Sequence, residues 1–351
     1  MKKTTSLLIL SCFIVAGIFI LTHASPAAAK EPVKIIYDTD MGNDIDDVFA
    51  LTMLNNLEKR GEVELLAVTV TKDNQYAAPY CKLINTFFQN SCVPIGKVVE
   101  SGISTDDGRF IRQTLEAKAE DGAPMFPFFN YDEDVTEYVD ATKLLRQTLA
   151  EQPDASVVIA QVGFSTNLAR LLDSPADEIS PLTGKELVAQ KVKYLCAMAG
   201  NFVDRILEFN VITDVESARK VFAEWPTEIY CSGFEIGLVI HLPCESILND
   251  YDYVQYHPVK EAFRLYIGLN PQAAACTFDL TTILFAARQD RGYFDLSGPG
   301  KIVVDDEGFT VFTPQPDGNA RYFKVNEEQK IRIAEAFQWL CSERLINYQC
   351  Q

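Results

Sequence analysis

Apolar and polar positions along the chain follow two periods, one typical of buried strands and one typical of helices. Residues 33–37 form a short apolar run that predicts a strand buried on both faces. Ala50, Met53 and Leu57 then repeat at helical spacing. Residues 64–71 form a second apolar run, so the chain begins with a strand, a helix and a strand.

The same alternation continues towards the C-terminal part of the chain. It predicts an α/β fold with a mostly parallel, mixed sheet and helices on both faces, as in Rossmann-like proteins. In such sheets, ligands bind beyond the carboxyl ends of the strands. The further predicted elements are helices at 76–88, 167–172, 215–224 and 331–341, and strands at 156–162, 194–198, 229–231 and 237–240.

Between residues 101 and 140 the periodic pattern breaks. Residues 125–131 are rich in aromatic side chains and contain a proline. This segment is either a mobile flap over a flat substrate or a set of rings packed on the body of the domain, and the sequence leaves both interpretations open.

The first 29 residues have the pattern of an export signal. Lys2 and Lys3 precede an uncharged stretch at residues 7–21, which is short for a membrane span, and three alanines end at Ala29. We therefore predict cleavage after Ala29, a periplasmic or secreted protein without stable membrane insertion, and a single domain over residues 30–351. Cys12 offers a lipoprotein cleavage site as the alternative.

The charge of the chain excludes some partners. Aspartate and glutamate number 49 against 31 lysines and arginines, giving a net charge of −18. Such a surface repels nucleic-acid polymers and anionic membranes. Apolar residues make up 48% of the chain, which is enough for a large core.

The cysteines indicate structural roles only. Export permits disulfides, and the sequence-near pairs are Cys81–Cys92, Cys231–Cys244 and Cys341–Cys350. Cys196 and Cys231, however, lie in apolar runs and are interpreted as buried free thiols. The spacing of zinc-binding cysteines is absent from the sequence.

Five aspartates lie within ten residues directly after the first predicted strand. Carboxylates this close together either raise one another's pKa or share a cation. Oxygen ligands without nearby histidine or cysteine favour calcium or magnesium. The five are Asp38, Asp40, Asp44, Asp46 and Asp47.

Two known types of site that begin with aspartates, the EF-hand and the aspartyl-phosphate phosphatase, do not account for this cluster. An EF-hand counted from Asp38 needs glycine at its sixth position, where Asn43 stands, and glutamate at its twelfth, where Phe49 stands. An aspartyl-phosphate phosphatase also begins with Asp-x-Asp after an apolar strand. That alternative leaves Asp46 and Asp47 without a role.

The whole string from the strand through Asp-Thr-Asp to the Asp46-Asp47 pair and Ala50-Leu51 resembles the nucleoside hydrolases, the inosine-uridine preferring ribohydrolases. The resemblance implies the fold of that family. Further matches follow in the family's order at Val93-Pro94-Ile95-Gly96, Gly163-Phe164-Ser165-Thr166-Asn167-Leu168-Ala169, Met198-Ala199-Gly200, Glu208-Phe209-Asn210, Asp214-Val215-Glu216-Ser217-Ala218 and Phe278-Asp279.

The resemblance implies a calcium-dependent hydrolase that splits a ribonucleoside, or a related N-riboside, into ribose and free base. It assigns the metal to Asp40, Asp47, the backbone carbonyl of Thr166 and Asp279, and it gives Asp40 the proton of the attacking water. Asp38 would orient the loop through hydrogen bonds. The substrate-binding residues implied are Asp46, Asn74, Asn201, Glu208, Asn210 and Phe278. Family members are often dimers or tetramers, so a homo-oligomer is a possible assembly.

The sequence departs from the family pattern in the part of the site that would contact the leaving base, which we call the base half. Phe278 stands where many members carry a histidine thought to protonate the leaving base, and a phenyl ring cannot donate a proton. Tyr131, His257 or solvent must then supply the proton, or the substrate must carry a better leaving group. His241, in an apolar run, is interpreted as a core histidine, and Asp44 is an extra aspartate without a role.

Phe278 also favours a second hypothesis. A chain that keeps the metal pocket but lacks the proton donor would bind a nucleoside or ribose without hydrolysing it. Tight binding with no release of base would distinguish such a protein from the enzyme.

Overall fold

The centre of the fold is a mixed β-sheet of eleven strands, seen in a computed structural model that describes residues 31–105, 108–131, 138–269 and 277–344. The spatial order is β10-β9-β11-β7-β6-β5-β1-β2-β3-β4, with β8 paired to β11. The strands are β1 Val33–Thr39, β2 Val63–Val70, β3 Ile95–Lys97, β4 Val139–Asp140, β5 Val157–Gln161, β6 Val192–Met198, β7 Glu228–Ser232, β8 Asp295–Leu296, β9 Gly300–Val304, β10 Thr310–Pro314 and β11 Ala320–Lys324.

Strands β1 to β7 pair in parallel, and their order reverses between β1 and β5. One half of the chain continues from β1 through β2 to β4, and the next half continues from β5 through β6 to β7. A reversal of this kind opens a crevice at the carboxyl ends of the two central strands. The aspartate cluster directly follows β1 and therefore lies at this crevice.

Helices cover both faces of the sheet, as the sequence predicted. Successive residues of β1 point to opposite faces, so Ile35 and Tyr37 enter one core cluster while Ile36 enters the other. The helices are α1 Asp46–Lys59, α2 Ala77–Phe87, α3 Arg109–Leu115, α4 Ala141–Ala150, α5 Thr166–Asp173, α6 Gly184–Lys191, α7 Phe209–Thr213, α8 Val215–Glu224, α9 Phe234–Gly237, α10 Cys244–Asn249, α11 Pro258–Leu269, α12 Phe278–Arg288 and α13 Glu327–Cys341.

The predicted strand at residues 237–240 is wrong. Helix α9 ends at Gly237, and residues 238–240 form no strand. A short apolar run is compatible with either element, and here tertiary contacts decide. The backbone of Gly237 lies against Phe278 so closely that an added Cβ would come within 2.2 Å of that ring.

The antiparallel strands β8 to β11 were not predicted. Residues of β9 alternate between buried and exposed, and β10 is exposed or half-buried throughout. Short strands of this kind give a weak apolar signal. In the aromatic segment at 125–131, Phe126 and Phe129 are buried in the core, as the packing alternative expects.

The sulfur atoms of the described cysteines form no disulfide. Cys81, Cys92, Cys231 and Cys244 are free thiols, so neither of the first two sequence-near pairs forms a disulfide. Cys196 and Cys231 are buried free thiols, as predicted. Cys341 is also free, and the other member of its sequence-near pair, at position 350, lies outside the described residues.

Residues from Glu31 onward form one compact unit. In this part of the chain, as far as it is described, the helices are too short or too polar to cross a membrane. The predicted export signal lies outside the described residues and stays a prediction.

Candidate functional site

An acidic pocket lies at the carboxyl ends of the central strands. Its floor is the loop that connects β1 to α1, and later segments of the chain complete its walls. Of the residues predicted for the site, Thr166, Asn74 and Asn201 do not line this pocket. The pocket is lined by Asp40, Asn43, Asp44, Asp46, Asp47, Val162, Met198, Glu208, Phe209, Asn210, Phe234, Phe278 and Asp279.

Three buried aspartates form the centre of the pocket. Asp46 and Asp47 are the first residues of α1, and Asp279 is the second residue of α12. One carboxylate oxygen of each lies within 4.8 Å of the others. The backbone N–H of Asp279 donates to Asp46 Oδ2 at 3.2 Å, which joins positions 233 residues apart. Two helix N-termini therefore present their acids to one point, where the helix dipoles favour negative charge.

The electrostatics of these aspartates is unfavourable without a counter-ion. Burial and then the nearby charge of Asp44 raise the pKa of Asp46 to about 8. Burial followed by repulsion from Asp40 raises the pKa of Asp47 well above its ordinary value. For Asp279 the causes are burial and then repulsion from Asp46. Buried carboxylates in mutual repulsion are stabilised as anions by a shared cation.

The donor set of this cluster, which we call the aspartate trio, fits a hard divalent cation. Each of Asp46, Asp47 and Asp279 offers carboxylate oxygens, the ligands that calcium prefers. Thr39 donates its hydroxyl to Asp47 Oδ1, which fixes the orientation of that ligand. The trio brings together Asp47 and Asp279, which the family resemblance assigned to the metal, with Asp46, which it assigned to the sugar. Asp40 is not part of the trio.

Asp40 is held beside the trio by a network that the sequence did not indicate. Asn43 Nδ2 donates to Asp40 Oδ2. The amide oxygen of Asn43 accepts from Lys72 Nζ at 2.6 Å and from the hydroxyl of Thr105, which fixes the orientation of the amide. Burial raises the pKa of Asp40 to about 7, opposed by the Asn43 hydrogen bond and the charge of Lys72.

Lys72 is, with Asn43, a residue beside the acidic pocket that the sequence did not indicate. Its side chain is 1% exposed, and it follows β2 at the same edge of the sheet as the aspartates. A lysine is rarely buried unless it is paired. The one signal in the sequence was its place directly after a buried strand.

Asp38 supports the loop from below. Its Oδ1 accepts from the hydroxyl of Thr69 at 2.6 Å and from Asn167 Nδ2 at 2.8 Å. Burial raises its pKa to about 7. The two bonds join the end of β1 to β2 and to α5, which is the orienting role that the sequence indicated.

Thr166 and Asn74 do not line the pocket, and their side chains contact residues outside it. Thr166 is the first residue of α5, and its hydroxyl donates to Asp214 Oδ2. Ser165, not Thr166, occupies the N-cap position. Asn74 Oδ1 accepts from the backbone N–H of Tyr76 at 2.8 Å.

Glu208 and Asn210 form the wall opposite the aspartates. Glu208 caps α7 and accepts from three backbone N–H groups, while burial raises its pKa to about 7. Asn210 Nδ2 donates to the carbonyl of Val162 at 2.7 Å and to that of Met198 at 3.2 Å. These two bonds fix the orientation of the Asn210 amide at the pocket.

Asn201 borders a different cavity. This cavity of about 530 Å³ lies between the loop at 201–206 and the antiparallel strands, and it lacks the acidic cluster. Asn201 Oδ1 accepts from the backbone N–H groups of Val203 and Asp204, and its buried Nδ2 has no hydrogen-bond partner. The larger cavity is therefore distinct from the site with the carboxylates.

Three phenylalanines form the remaining wall of the acidic pocket. Phe234 and Phe278 stack with ring centroids 5.1 Å apart and an interplanar angle of 15°. Phe209 is 47% exposed at the rim. The backbone N–H of Phe234 donates to the carbonyl of Gly200 at 2.8 Å, which holds the stacked pair in place.

The candidate proton donors lie elsewhere. His257 is 3% exposed, its Nε2 is 2.9 Å from the hydroxyl of Tyr253, and burial lowers its pKa well below the ordinary value. His241 is exposed, so its assignment to the core is wrong. Tyr131 stacks on Tyr76 with centroids 6.0 Å apart and does not line the pocket.

Asp44 has a partner on a distant helix. The hydroxyl of Tyr266, in α11, donates to Asp44 Oδ1 at 2.6 Å. Tyr266 also packs edge-on against Phe110 of α3, with centroids 5.3 Å apart. Asp44 therefore connects the acidic loop to the helices beside it.

Comparison with protein-family models gives one match. The model described as inosine-uridine preferring nucleoside hydrolase matches residues 35–336. Among curated protein sequences, none matches the chain.

Solved structures of related fold cover most of the chain. A plant nucleoside hydrolase superposes with a TM-score of 0.65 at 18% identity, covering 89% of this chain and 100% of its own. A purine-preferring ribonucleoside hydrolase from Gardnerella vaginalis gives 0.65 at 15% identity, with 88% and 98% covered. The type III effector protein XopQ, complexed with adenosine diphosphate ribose, gives 0.61 at 17% identity, with 89% and 94% covered. At these identities the likeness establishes the fold.

Proposed function

The chain belongs to the inosine-uridine preferring nucleoside hydrolase family, and we propose that it hydrolyses the N-glycosidic bond of a ribonucleoside or related N-riboside, giving ribose and free base. The observation that carries this proposal is the aspartate trio, whose oxygens lie within 4.8 Å of one another at the crevice of the sheet. A phosphatase would begin its chemistry at Asp38, which is instead engaged with Thr69 and Asn167.

The reaction requires a water, a grip on the sugar and departure of the base. The C1′–N bond breaks through a ribosyl cation, so groups that favour positive charge at C1′ accelerate it. A calcium ion held by Asp46, Asp47 and Asp279 would supply positive charge that polarises water and sugar oxygens. Carboxylates around the sugar stabilise the developing cation.

Individual roles follow from the positions of the side chains. Asp40 lies beside the trio and takes the proton of the attacking water, because Asn43 and Lys72 favour its ionised form. Glu208 and Asn210 face the sugar. The assignments of Thr166 to the metal and of Asp46, Asn74 and Asn201 to the ribose hydroxyls rest on the family resemblance.

Phe278 supports a second candidate function. Because a phenyl ring donates no proton, a chain with this residue in the base half could bind a nucleoside without hydrolysing it. We also propose, from the pattern of residues 1–29, that the protein is exported.

The decisive experiment measures release of base from a panel of nucleosides by the purified chain, with calcium and with a chelator. Release with calcium, abolished by the chelator and by Asp40→Asn, is expected. Tight binding of a nucleoside without release of base would select the binding protein instead. Absence of both binding and release across the panel would overturn the proposal.

The ion itself is tested by calorimetry. Asp279→Asn removes one charged ligand from the trio, so calcium affinity should fall roughly 10- to 100-fold or more. Asp306→Asn is the matched control, since the side chain of Asp306 is fully exposed. Equal calcium affinity of the two variants would remove the trio as the metal site.

A further inference from the structure

We propose that the base half of the pocket selects an N-riboside whose ring already carries a positive charge, such as a pyridinium riboside or an N7-alkylated purine riboside. This inference rests on the proposed function and adds the substrate class to it. It follows from the aromatic wall, from the charge of the pocket and from the chemistry of the leaving group.

The aromatic wall offers a flat face for a ring. Phe234 and Phe278 lie nearly parallel, at 15°, and Phe209 stands at the rim. Gly237 packs directly against Phe278, so the position of that ring is fixed from behind. The faces of phenyl rings carry negative electrostatic potential, and they attract a cation more strongly than a neutral ring.

The charge of the pocket also favours a cationic ring. Six carboxyl groups line it, those of Asp40, Asp44, Asp46, Asp47, Glu208 and Asp279. A divalent ion together with Lys72 contributes three positive charges, which leaves an excess of carboxylates. Asp44 is exposed at the mouth, where a cationic ring would approach. Low-dielectric walls lined by one sign of charge concentrate ligands of the opposite sign.

The leaving group completes the argument. A neutral base departs as an anion unless a proton reaches it. Among the described lining residues there is no histidine, lysine or tyrosine, and both carboxyl oxygens of Glu208 already accept from backbone N–H groups. In a cationic riboside the electron pair of the C1′–N bond neutralises the ring, which leaves as a neutral molecule. Water forms the new bond to C1′ and gives one proton to Asp40, so the products are ribose, neutral base and one released proton.

Three substrates separate the effect of a positive charge on the ring from the effect of a leaving group that needs no proton. Guanosine is neutral and needs a proton, 7-methylguanosine is the same purine with a positive charge, and 4-nitrophenyl riboside is neutral with a leaving group that needs no proton. For the wild-type protein we expect kcat/KM to be at least about 100-fold higher for 7-methylguanosine than for guanosine, the range that a proton donor is worth. The nitrophenyl riboside should fall between them, because it lacks the attraction of the charge.

A variant tests the wall directly. Phe278→His supplies a proton donor and removes a phenyl face. We therefore expect kcat/KM to rise about 10-fold or more for guanosine and to fall several-fold for 7-methylguanosine. Phe337→Leu, a change to a buried ring in α13 that does not line the pocket, is the control and should leave the ratio of the two substrates unchanged.

Binding to the Asp40→Asn protein distinguishes failure of this inference from failure of the proposed function. If no substrate is hydrolysed, the proposed function fails, but calorimetry should still give several-fold tighter binding of 7-methylguanosine than of guanosine. Equal binding of the two, or hydrolysis of guanosine as fast as 7-methylguanosine, overturns the inference and leaves the hydrolase standing.

Discussion

At the scale of single residues, a buried lysine, Lys72, lies beside the crowded aspartates of the pocket. Lys72 is buried and donates to Asn43, which in turn donates to Asp40. A positive charge in this position has two opposite effects on the proposed reaction. It favours the ionised form of Asp40, and it repels a divalent ion at the trio.

These two effects predict that Lys72→Met binds calcium more tightly while hydrolysing its substrate more slowly. Removal of the like charge should strengthen calcium binding on the order of tenfold. The rate should fall roughly tenfold, because Asn43 loses the donor that fixes its amide. Calorimetry and base release measure the two quantities on one preparation.

Lys34→Met is the control for this prediction, since Lys34 is the second residue of β1 and pairs with Glu64 on the surface. A variant whose calcium affinity and rate both fall would indicate that Lys72 supports the structure alone.

The sequence indicated the individual aspartates, and the family resemblance grouped Asp47 with Asp279, but nothing in the sequence indicated that Asp46 joins these two. Their number and their place after a buried strand are enough to indicate a cation site. Which of them share the ion depends on side-chain rotamers and on where α12 begins, and neither quantity is visible in apolar periodicity. Asn43 and Lys72 were missed because their roles arise from hydrogen bonds across the loop.

At the scale of elements, the acidic loop is anchored at both ends. At its start, Asp38 accepts from Thr69 of β2. At its end, Asp47 of α1 accepts from the hydroxyl of Thr39, and between the two ends Asp44 accepts from the hydroxyl of Tyr266 in α11. The link to α11 is the extra aspartate's role that the sequence left unexplained.

Tyr266→Phe removes this hydroxyl alone and should loosen the loop. A hydrogen bond to a charged group contributes about 1.5 to 3 kcal/mol to stability. The contribution of this bond is smaller, because Asp44 is exposed to solvent. We expect faster amide hydrogen exchange across residues 41–47, about tenfold, with little change in the rest of the sheet. Tyr256→Phe, on the segment before α11, should leave exchange unchanged, and equal protection in both variants would contradict the anchoring role.

Elements buried on both faces were the easiest to predict. Strands β1, β2, β5 and β6 have continuous apolar runs, and each lies where the pattern indicated it. The antiparallel strands β9 to β11 lack such runs and were missed. His241 was assigned to the core and is exposed, because a neighbouring apolar run does not determine whether a side chain points inward. His257 is enclosed by the rings of Phe87 and Tyr251.

At the scale of the whole molecule, the acidic pocket makes stability depend on pH and calcium together. In the folded protein the pKa values of Asp40 and Asp46 are about 7 and about 8, far above those of the unfolded chain. The folded state therefore holds more protons than the unfolded state across this range. Its stability then falls as pH rises through these values.

We predict that the chelated protein melts at lower temperature at pH 8.5 than at pH 6.5, by roughly 5 to 10 °C for a cost of a few kcal/mol. Below about pH 6.5 the lowered pKa of His257 acts in the opposite sense, so the comparison starts there. Saturating calcium should abolish the decrease, since the ion binds ionised carboxylates. A melting temperature that rises with pH in the chelated protein would contradict this account.

The hydrogen bond between Asp279 and Asp46 also constrains when the site can exist. It joins positions 233 residues apart, so the ion pocket is absent from every shorter stretch of nascent chain. The aspartates of the acidic loop are synthesised early, and they stay hydrated and separated until α12 has been synthesised and has docked. Capture of the proposed ion would therefore follow the docking of α12 and could not be the nucleus of folding.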